Sequence, residues 1–302
     1  MRGVAAIVIN RNTKDFLRDC LSSLAGQEYG GGISAWVVDN GSTDGSQRMV
    51  LGEFPGVNLV WNDENVGYAR ACNHGASHTA EPYLLFMNSD TVLSRNTLSE
   101  VVELFERRPD VGVIGPRILN SDGSIQYSCR EFPSIKDAFL HAFIGLFNAD
   151  NAGSSRYKKM EWAHGDETVV DWVSGCFIAV RREAFDKVGG FDEKYFMYVE
   201  DVDLCWTISE AGWEVRYIPR GEVVHHIGMA SQAVPTRMVL HHHASMLRFH
   251  RKTYRGPARM LVNGAVAVGI AARILLIVAL NSFYRLRAAV GGVRRVIMPG
   301  RQ

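Results

Sequence analysis

Apolar and polar positions along this chain fall into two periods that take turns. Short, mostly apolar runs at Ala5–Asn10, Ala35–Asp39, Val57–Trp61, Tyr83–Met87 and Val111–Ile114 read as strands buried on both faces. Between them the period lengthens to that of a helix. Thr13 is placed to cap one whose apolar face is Phe16, Leu17, Cys20, Leu21 and Leu24. Short apolar strands alternating with helices predict a parallel sheet joined by right-handed crossovers. Ile118–Tyr127 carries Asp122-Gly123 and predicts a hairpin. Phe132–Phe147 reads as helical and Asn148–Gly165 as a polar loop. Val169–Val180 is a buried strand interrupted by Ser174-Gly175. Glu200–Ala211 is a helix with Leu204, Cys205, Ile208 and Ala211 on one face and Gly212 as its stop.

Composition narrows the class. The 302 residues are 47% hydrophobic and 22% charged, as a protein with a full core requires. The five cysteines lie far apart with no Cys-x-x-Cys pair, which argues against a zinc ribbon or a disulfide scaffold and suits a reducing compartment. The apolar run from Val4 to Ile9 is stopped at once by Asn10, Arg11 and Asn12, too soon for a signal peptide, so the chain is expected in the cytoplasm. The net charge of +1 hides a division. From Val223 onward there is no Asp or Glu but twelve Lys and Arg, leaving 21 basic and 32 acidic residues before it. An acid-free basic tail predicts an anionic partner, and its apolar content favours a membrane surface over nucleic acid.

Three acidic signatures end predicted strands: Val37-Val38-Asp39-Asn40-Gly41-Ser42-Thr43-Asp44-Gly45, Phe86-Met87-Asn88-Ser89-Asp90-Thr91 and Tyr198-Val199-Glu200-Asp201-Val202-Asp203. In an open α/β sheet, ligands bind outside the carboxyl ends of the strands, so such carboxylates meet a ligand rather than the core. Singly, each is an ordinary turn or helix start, since Asp, Asn and Ser cap helices and acids suit their N-termini. A further stretch, Asn65-Val66-Gly67-Tyr68-Ala69-Arg70, follows the third strand, and Val223-Val224-His225-His226-Ile227-Gly228 ends a later one.

Taken in order, these motifs and the block from Asp171 to Trp213 resemble the family-two inverting glycosyltransferases, and among them bacterial rhamnosyltransferase-like enzymes. The resemblance covers roughly residues 4 to 255. It implies a GT-A fold, a Rossmann-like, mostly parallel sheet flanked by helices. It also implies a nucleotide-diphospho-sugar donor, dTDP- or UDP-linked with dTDP-rhamnose foremost, and a glycan or polyprenyl-linked acceptor. Asp39, Asn65, Gly67, Arg70 and Asn88 would line the nucleotide site, with Arg70 facing the diphosphate. Asp90 would hold Mg2+ or Mn2+ together with His226, or else His225. Asp201 would be the general base, with Glu200 behind it. Asn88 stands where many relatives carry the first acid of Asp-x-Asp, which weakens the metal motif. A sugar nucleotidyltransferase is disfavoured because the loop Asn10-Arg11-Asn12-Thr13-Lys14 lacks glycines. A non-catalytic sugar-nucleotide-binding membrane protein is the remaining alternative.

The expected division is a transferase domain at 1–255 and a basic, apolar helical tail at 256–302. Leu261–Leu280 is long enough to span a bilayer, but Arg273 within it costs about 2.5–3.5 kcal/mol at mid-span. Arg255, Arg259, Asn263, Arg273 and Asn281 fall on one stripe, broken by Val266, Ile270 and Ile277. The pattern favours a helix lying in the interface on the inner face of the cell membrane, with its arginines reaching the headgroups. A spanning helix and a helix buried in a homodimer or core are the alternatives. His241-His242-His243 lacks zinc spacing and reads as a polar helical face.

Overall fold

A computed structural model describes residues 2–132, 164–226 and 236–290. The chain divides into two compact units. The first takes in Met1–Phe132 and Lys158–Gln232, the second Pro133–Tyr157 and Ala233–Gln302. The expected helix at 132–147, apart from Phe132, and most of the loop at 148–165 lie outside the described residues.

The first unit is built on strands β1 (Val4–Asn10), β2 (Ile33–Asn40), β3 (Asn58–Asn62) and β4 (Tyr83–Asn88), all parallel. They are followed by β5 (Thr91–Leu93), β6 (Val111–Leu119), β7 (Ile125–Gln126), β8 (Cys129–Arg130), β9 (Thr168–Val169), β10 (Trp172–Val173), β11 (Phe177–Arg181) and β12 (Glu214–His225). The main sheet runs in the order β3-β2-β1-β4-β11-β6-β12-β5, with β7 beside β6 and β9 beside β12. It is mixed rather than wholly parallel. β11 lies antiparallel between β4 and β6, so β6 and its parallel neighbour β12 point the same way as the first four strands. The expected 169–180 strand is three pieces, because Ser174-Gly175 turns the chain between β10, which pairs with β8, and β11.

Alternation across β1 and β4 separates two faces. Val4, Ala6, Val8, Tyr83, Leu85 and Met87 join one core, with Leu17, Cys20, Leu21 and Leu24 of α1 (Lys14–Ala25) and the buried face of α4 (Thr97–Arg107). Phe16, expected in that core, is only half-buried, and its ring stands 5.6 Å from that of His226. Between α1 and α4 in sequence come α2 (Ser46–Glu53) and α3 (Tyr68–Ser77). On the other face Phe86 meets Phe185 and Phe191 at ring-centroid distances of 5.3 and 5.1 Å. Phe185 belongs to α5 (Arg182–Val188), and α6 (Glu200–Glu210) follows. α3 lies so close to the sheet that Gly75 leaves no room for a side chain. A Cβ there would stand 2.5 Å from Ile7 Cγ2 and 2.9 Å from Val38 Cγ2.

The strands end in register. Asn10 of β1 sits opposite Asp39 of β2, Ile9 opposite Asn88 of β4, and His225 of β12 opposite Thr91 of β5. Strand order reverses between β1 and β4, and a crevice opens at such a switch point. The second unit contains α7 (Thr236–Thr253) and α8 (Arg259–Val290). His243, read as part of a polar face, is buried. Among the described residues no helix is long and apolar enough to cross a membrane.

Gly75→Ala should lower stability by about 1–3 kcal/mol through overpacking against Ile7 and Val38, despite alanine's better helix propensity. Urea unfolding of the two proteins measures it.

Candidate functional site

The strand-end edge is organised around Asp39, which is fully buried. Its carboxylate accepts from Asn10 Nδ2 at 2.7 Å, Gln47 Nε2 at 2.7 Å and the Ser42 backbone N–H at 2.9 Å. These charge-assisted bonds hold the 41–45 turn against the end of β1. Asn10 extends the link. Its Oδ1 accepts from Thr13 Oγ1 at 2.8 Å, which leaves the Ser89 hydroxyl to donate to Thr13 at 2.6 Å. Strands β2, β1 and β4 are thereby joined across the switch point by four side chains. Thr13, expected to cap α1, serves this chain of bonds and makes no side-chain cap.

The 62–67 loop is tied to the same edge through Asn40. Asn40 Nδ2 donates to Asn65 Oδ1 at 3.1 Å and to the Gly67 carbonyl at 3.2 Å, and Asn65 Oδ1 also accepts the Gly67 N–H at 3.0 Å. Gly67 has φ +90°, and a Cβ on it would fall 2.4 Å from the Phe196 carbonyl oxygen. Here glycine is required both by conformation and by the close approach of segment 195–199. Arg70, expected to face the diphosphate, is largely exposed and pairs with Glu193 at 3.1 Å.

Segment 195–199 leads into the carboxylate pair. Tyr198 and Val199 both lie in the left-handed region, at φ +69° and +70°. For a β-branched valine this is strained, at a cost of about 1–3 kcal/mol for each such residue. The conformation is held from both sides. Tyr68 N–H donates to the Phe196 carbonyl at 2.9 Å, and Asp203 N–H donates to the Val199 carbonyl at 2.8 Å.

Asp201 Oδ2 accepts the Gly175 N–H at 2.8 Å and Oδ1 accepts the Val202 N–H at 2.8 Å. Tyr68 Oη fastens the same glycine by donating to its carbonyl at 2.7 Å. Burial pushes the Asp201 pKa up, opposed by these backbone N–H groups and by the charge of Arg130. Glu200 is only 7% exposed, and its Oε2 is buried with no hydrogen-bond partner. Burial first, then the neighbouring Asp201 charge, carries its pKa well above the usual carboxylate range. Within the pair Glu200 therefore holds its proton more firmly, and Asp201 is the first of the two to lose its own.

At the far end of the crevice Asp90 Oδ1 stands 3.3 Å from His225 Nε2, both residues being buried. His225 Nδ1 lies 3.2 Å from Gln126 Oε1. Burial disfavours the imidazolium, but Cys176 and Asp90 beside it outweigh this and raise the His225 pKa to about 10. His226, named first from its spacing, has its Nδ1 2.8 Å from Ser121 Oγ instead. Successive side chains at the end of β12 point to opposite faces, so one of the two histidines meets Asp90 and the other does not. The carboxylate oxygen suits Mg2+ or Mn2+, and the imidazole nitrogen is a further candidate ligand beside it. Among the described residues no group of three His, Cys, Asp or Glu can hold an ion. Asp90 and His225 would supply two ligands to such an ion, His225 only after giving up its imidazolium proton.

Asn88 sits beside this pair, its backbone N–H bonded to the Cys176 carbonyl at 3.0 Å. Two contributors escaped the reading of the sequence. Asn10 is a buried amide closing an apolar run, a signal that was visible. Tyr68 stood inside a quoted motif, but nothing in the chain linked it to Gly175.

An open sheet with polar strand ends at its switch point and a carboxylate pair on an adjoining helix start is the layout of GT-A glycosyltransferases. A mannosyltransferase from Pyrobaculum calidifontis, solved with GDP-Man and Mn2+, matches with TM-score 0.56 and 18% identity over 96% of this chain and 81% of its own. Staphylococcus aureus TarS 1–349 matches with TM-score 0.57 and 15% identity over 97% of this chain and 76% of its own. Residues 5–189 fit the model of glycosyl transferase family 2, and the chain belongs to that family. It is similar to the N-acetylglucosaminyl-diphospho-decaprenol L-rhamnosyltransferase of Mycobacterium tuberculosis, with 34% identity over 78% of this chain and 81% of that protein. The rhamnosyltransferase WbbL of Escherichia coli is 31% identical over 48% of this chain and 53% of its own length.

The raised Glu200 pKa has a definite sign. The folded state binds that proton more tightly than the unfolded chain, so wild-type stability should fall as pH rises through and above the ordinary carboxylate range. Glu200→Gln should accordingly stabilise the protein at pH 8 and leave it nearly unchanged at pH 4. Thermal unfolding at the two pH values tests this.

Proposed function

We propose that this chain is an inverting rhamnosyltransferase that moves L-rhamnose from a dTDP-linked donor to a hydroxyl of a polyprenyl-linked glycan in cell-wall or surface polysaccharide synthesis. The sugar and the lipid-linked acceptor are taken from the relative in M. tuberculosis, which matches over most of both chains. The observation that carries the reaction type is Asp201. It is a carboxylate held by two backbone N–H groups, and its neighbour Glu200 is enclosed and holds a proton more firmly than Asp201 does. A single readily deprotonated carboxylate in the pair suits a single displacement, with Asp201 as base and Glu200 not serving as a nucleophile.

In this reading Asp201 takes the proton from the acceptor hydroxyl as that oxygen bonds to the anomeric carbon from the side opposite the leaving group. The bond to the nucleoside diphosphate breaks in the same step. Backbone N–H groups of Gly175 and Val202 keep the base in place, and Tyr68 keeps Gly175 in place. Asp39, Asn65, Gly67 and Asn88 shape the nucleotide side, Asp39 by fixing the turn it is buried beneath. Arg70 meets the diphosphate once released from Glu193. Asp90 and His225, the latter in place of His226, would hold Mg2+ or Mn2+, which neutralises charge on the departing diphosphate when bound. A lipid-linked acceptor sets the work at the inner face of the cell membrane. The five cysteines, all free and buried, suit a reducing compartment there.

Nucleotide release across a panel of sugar nucleotides, with Mn2+ and a lipid extract as acceptor source, tests the reading. Asp201→Asn should lower kcat by about 10²–10⁴-fold with donor binding nearly intact. Loss of both would remove the base assignment. His225→Ala should raise the Mn2+ concentration needed for half-maximal rate, whereas His226→Ala should leave it within about twofold of wild type, since a lost ligand weakens metal binding by far more.

A further inference from the structure

Over residues 261–275, helix α8 presents to solvent a face with no charge on it. Leu261, Ala265, Val268, Ala272 and Leu275 are exposed, as are Gly264 and Ala271. They recur every three or four residues and cover about a third of the helix circumference. Leu261 is 80% exposed, Val268 70% and Leu275 70%. The polar residues of the same stretch lie on the other side. Asn263 and Arg273 are half-buried, with Asn263 Oδ1 and Arg273 Nε enclosed and without hydrogen-bond partners, and burial lowers the Arg273 pKa. Of the stripe expected to reach the headgroups, Asn263 and Arg273 are thus half-buried, whereas Arg255 and Arg259 are exposed. Exposed Arg251, Arg255 and Arg259 stand at the approach to the helix, and no acid occurs from Val223 to the end of the chain.

We propose that this apolar face of α8 is a membrane-docking surface, lying in the headgroup–acyl boundary of an anionic leaflet with the arginines at its N-terminal end on the lipid phosphates. A contiguous exposed apolar stripe calls for a partner. An acid-free basic segment chooses among partners by sign: a leaflet of negative lipid attracts it, whereas a second copy would bring like charges together. Small residues between the three larger ones keep the face shallow, which suits insertion to the depth of an interfacial helix. The surface binds without turnover, so this inference and the transferase reading stand or fall separately.

The test is flotation of the full-length protein with vesicles of phosphatidylcholine alone or mixed with phosphatidylglycerol. Wild type should bind the mixed vesicles at least about tenfold more strongly, and added salt should reduce the difference. The variant L261E/V268E/L275E should lose about tenfold or more in binding to mixed vesicles while keeping its circular dichroism and thermal transition. The milder variants V268E and R255Q/R259Q should each give a partial loss. Undiminished binding by the triple variant would overturn the proposal, as would equal binding of wild type to both vesicles or to neither. Sedimentation showing a lipid-free dimer that the triple variant converts to monomer, with vesicle binding unchanged, would assign the face to a second copy and overturn it too.

Discussion

The carboxylate of Asp39 is closed off from solvent, so its charge has to be met by donors from the protein itself. Asn10, Gln47 and the Ser42 N–H supply them, and Asn10 passes the constraint on through Thr13 to Ser89. One buried charge thus sets the relative placement of β1, β2 and β4 at the edge where the crevice opens. The turn beyond β2, the start of α1 and the 88–91 turn are shaped by bonds to this chain or to its neighbours. Removing one member leaves a buried group unpaired, which costs more than the bond itself contributes.

Local patterns made the first half of the sheet legible. β1 to β4 are short, buried and separated by turn residues, and their boundaries fall within a residue or two of those read from the chain. The same holds for α6, whose apolar face and Gly212 stop are local signals. β11 was harder, because its direction depends on pairing with β4 and β6, strands far away in sequence. The Asp-x-Asp-like and Glu-Asp motifs located Asp90 and Asp201 by type and order. Which of two adjacent histidines turns toward Asp90 is decided by the pleat of β12, and the chain alone does not state the phase of that pleat. Phe16 illustrates the limit of helical periodicity. Its position fits the apolar face, yet it lies at the margin where α1 meets the crevice. In the tail, the wheel grouped Asn263 with Arg273, but how far each is covered depends on packing that the wheel does not contain.

The Glu200–Asp201 turn is arranged against stability. Two left-handed residues, a partnerless buried carboxyl oxygen and two neighbouring acids occur within four positions. Each feature is unfavourable alone, and each helps to hold the Asp201 carboxyl at a fixed place beside the strand ends. Strain of this kind persists only where surrounding contacts over-determine it. The close approach of Gly67 to Phe196 and the Tyr68–Gly175 bond provide that support.

The reversed direction of β11 has a consequence for how the protein is made. Because that strand runs against its neighbours, its beginning, not its end, arrives at the crevice, bringing Gly175 to Asp201 and to Tyr68, 107 residues earlier in the chain. Chains emerge from synthesis N-terminal end first. The ends of β1, β2 and β4 can be joined by Asp39 and Asn10 while β4 still lacks a neighbour on one side. The half bearing the base, together with His225, has no place to dock until β11 closes that gap. A nascent chain halted before β11 therefore carries an open sheet edge and no base, and the strand that closes that edge also carries Gly175, just ahead of it, to the site.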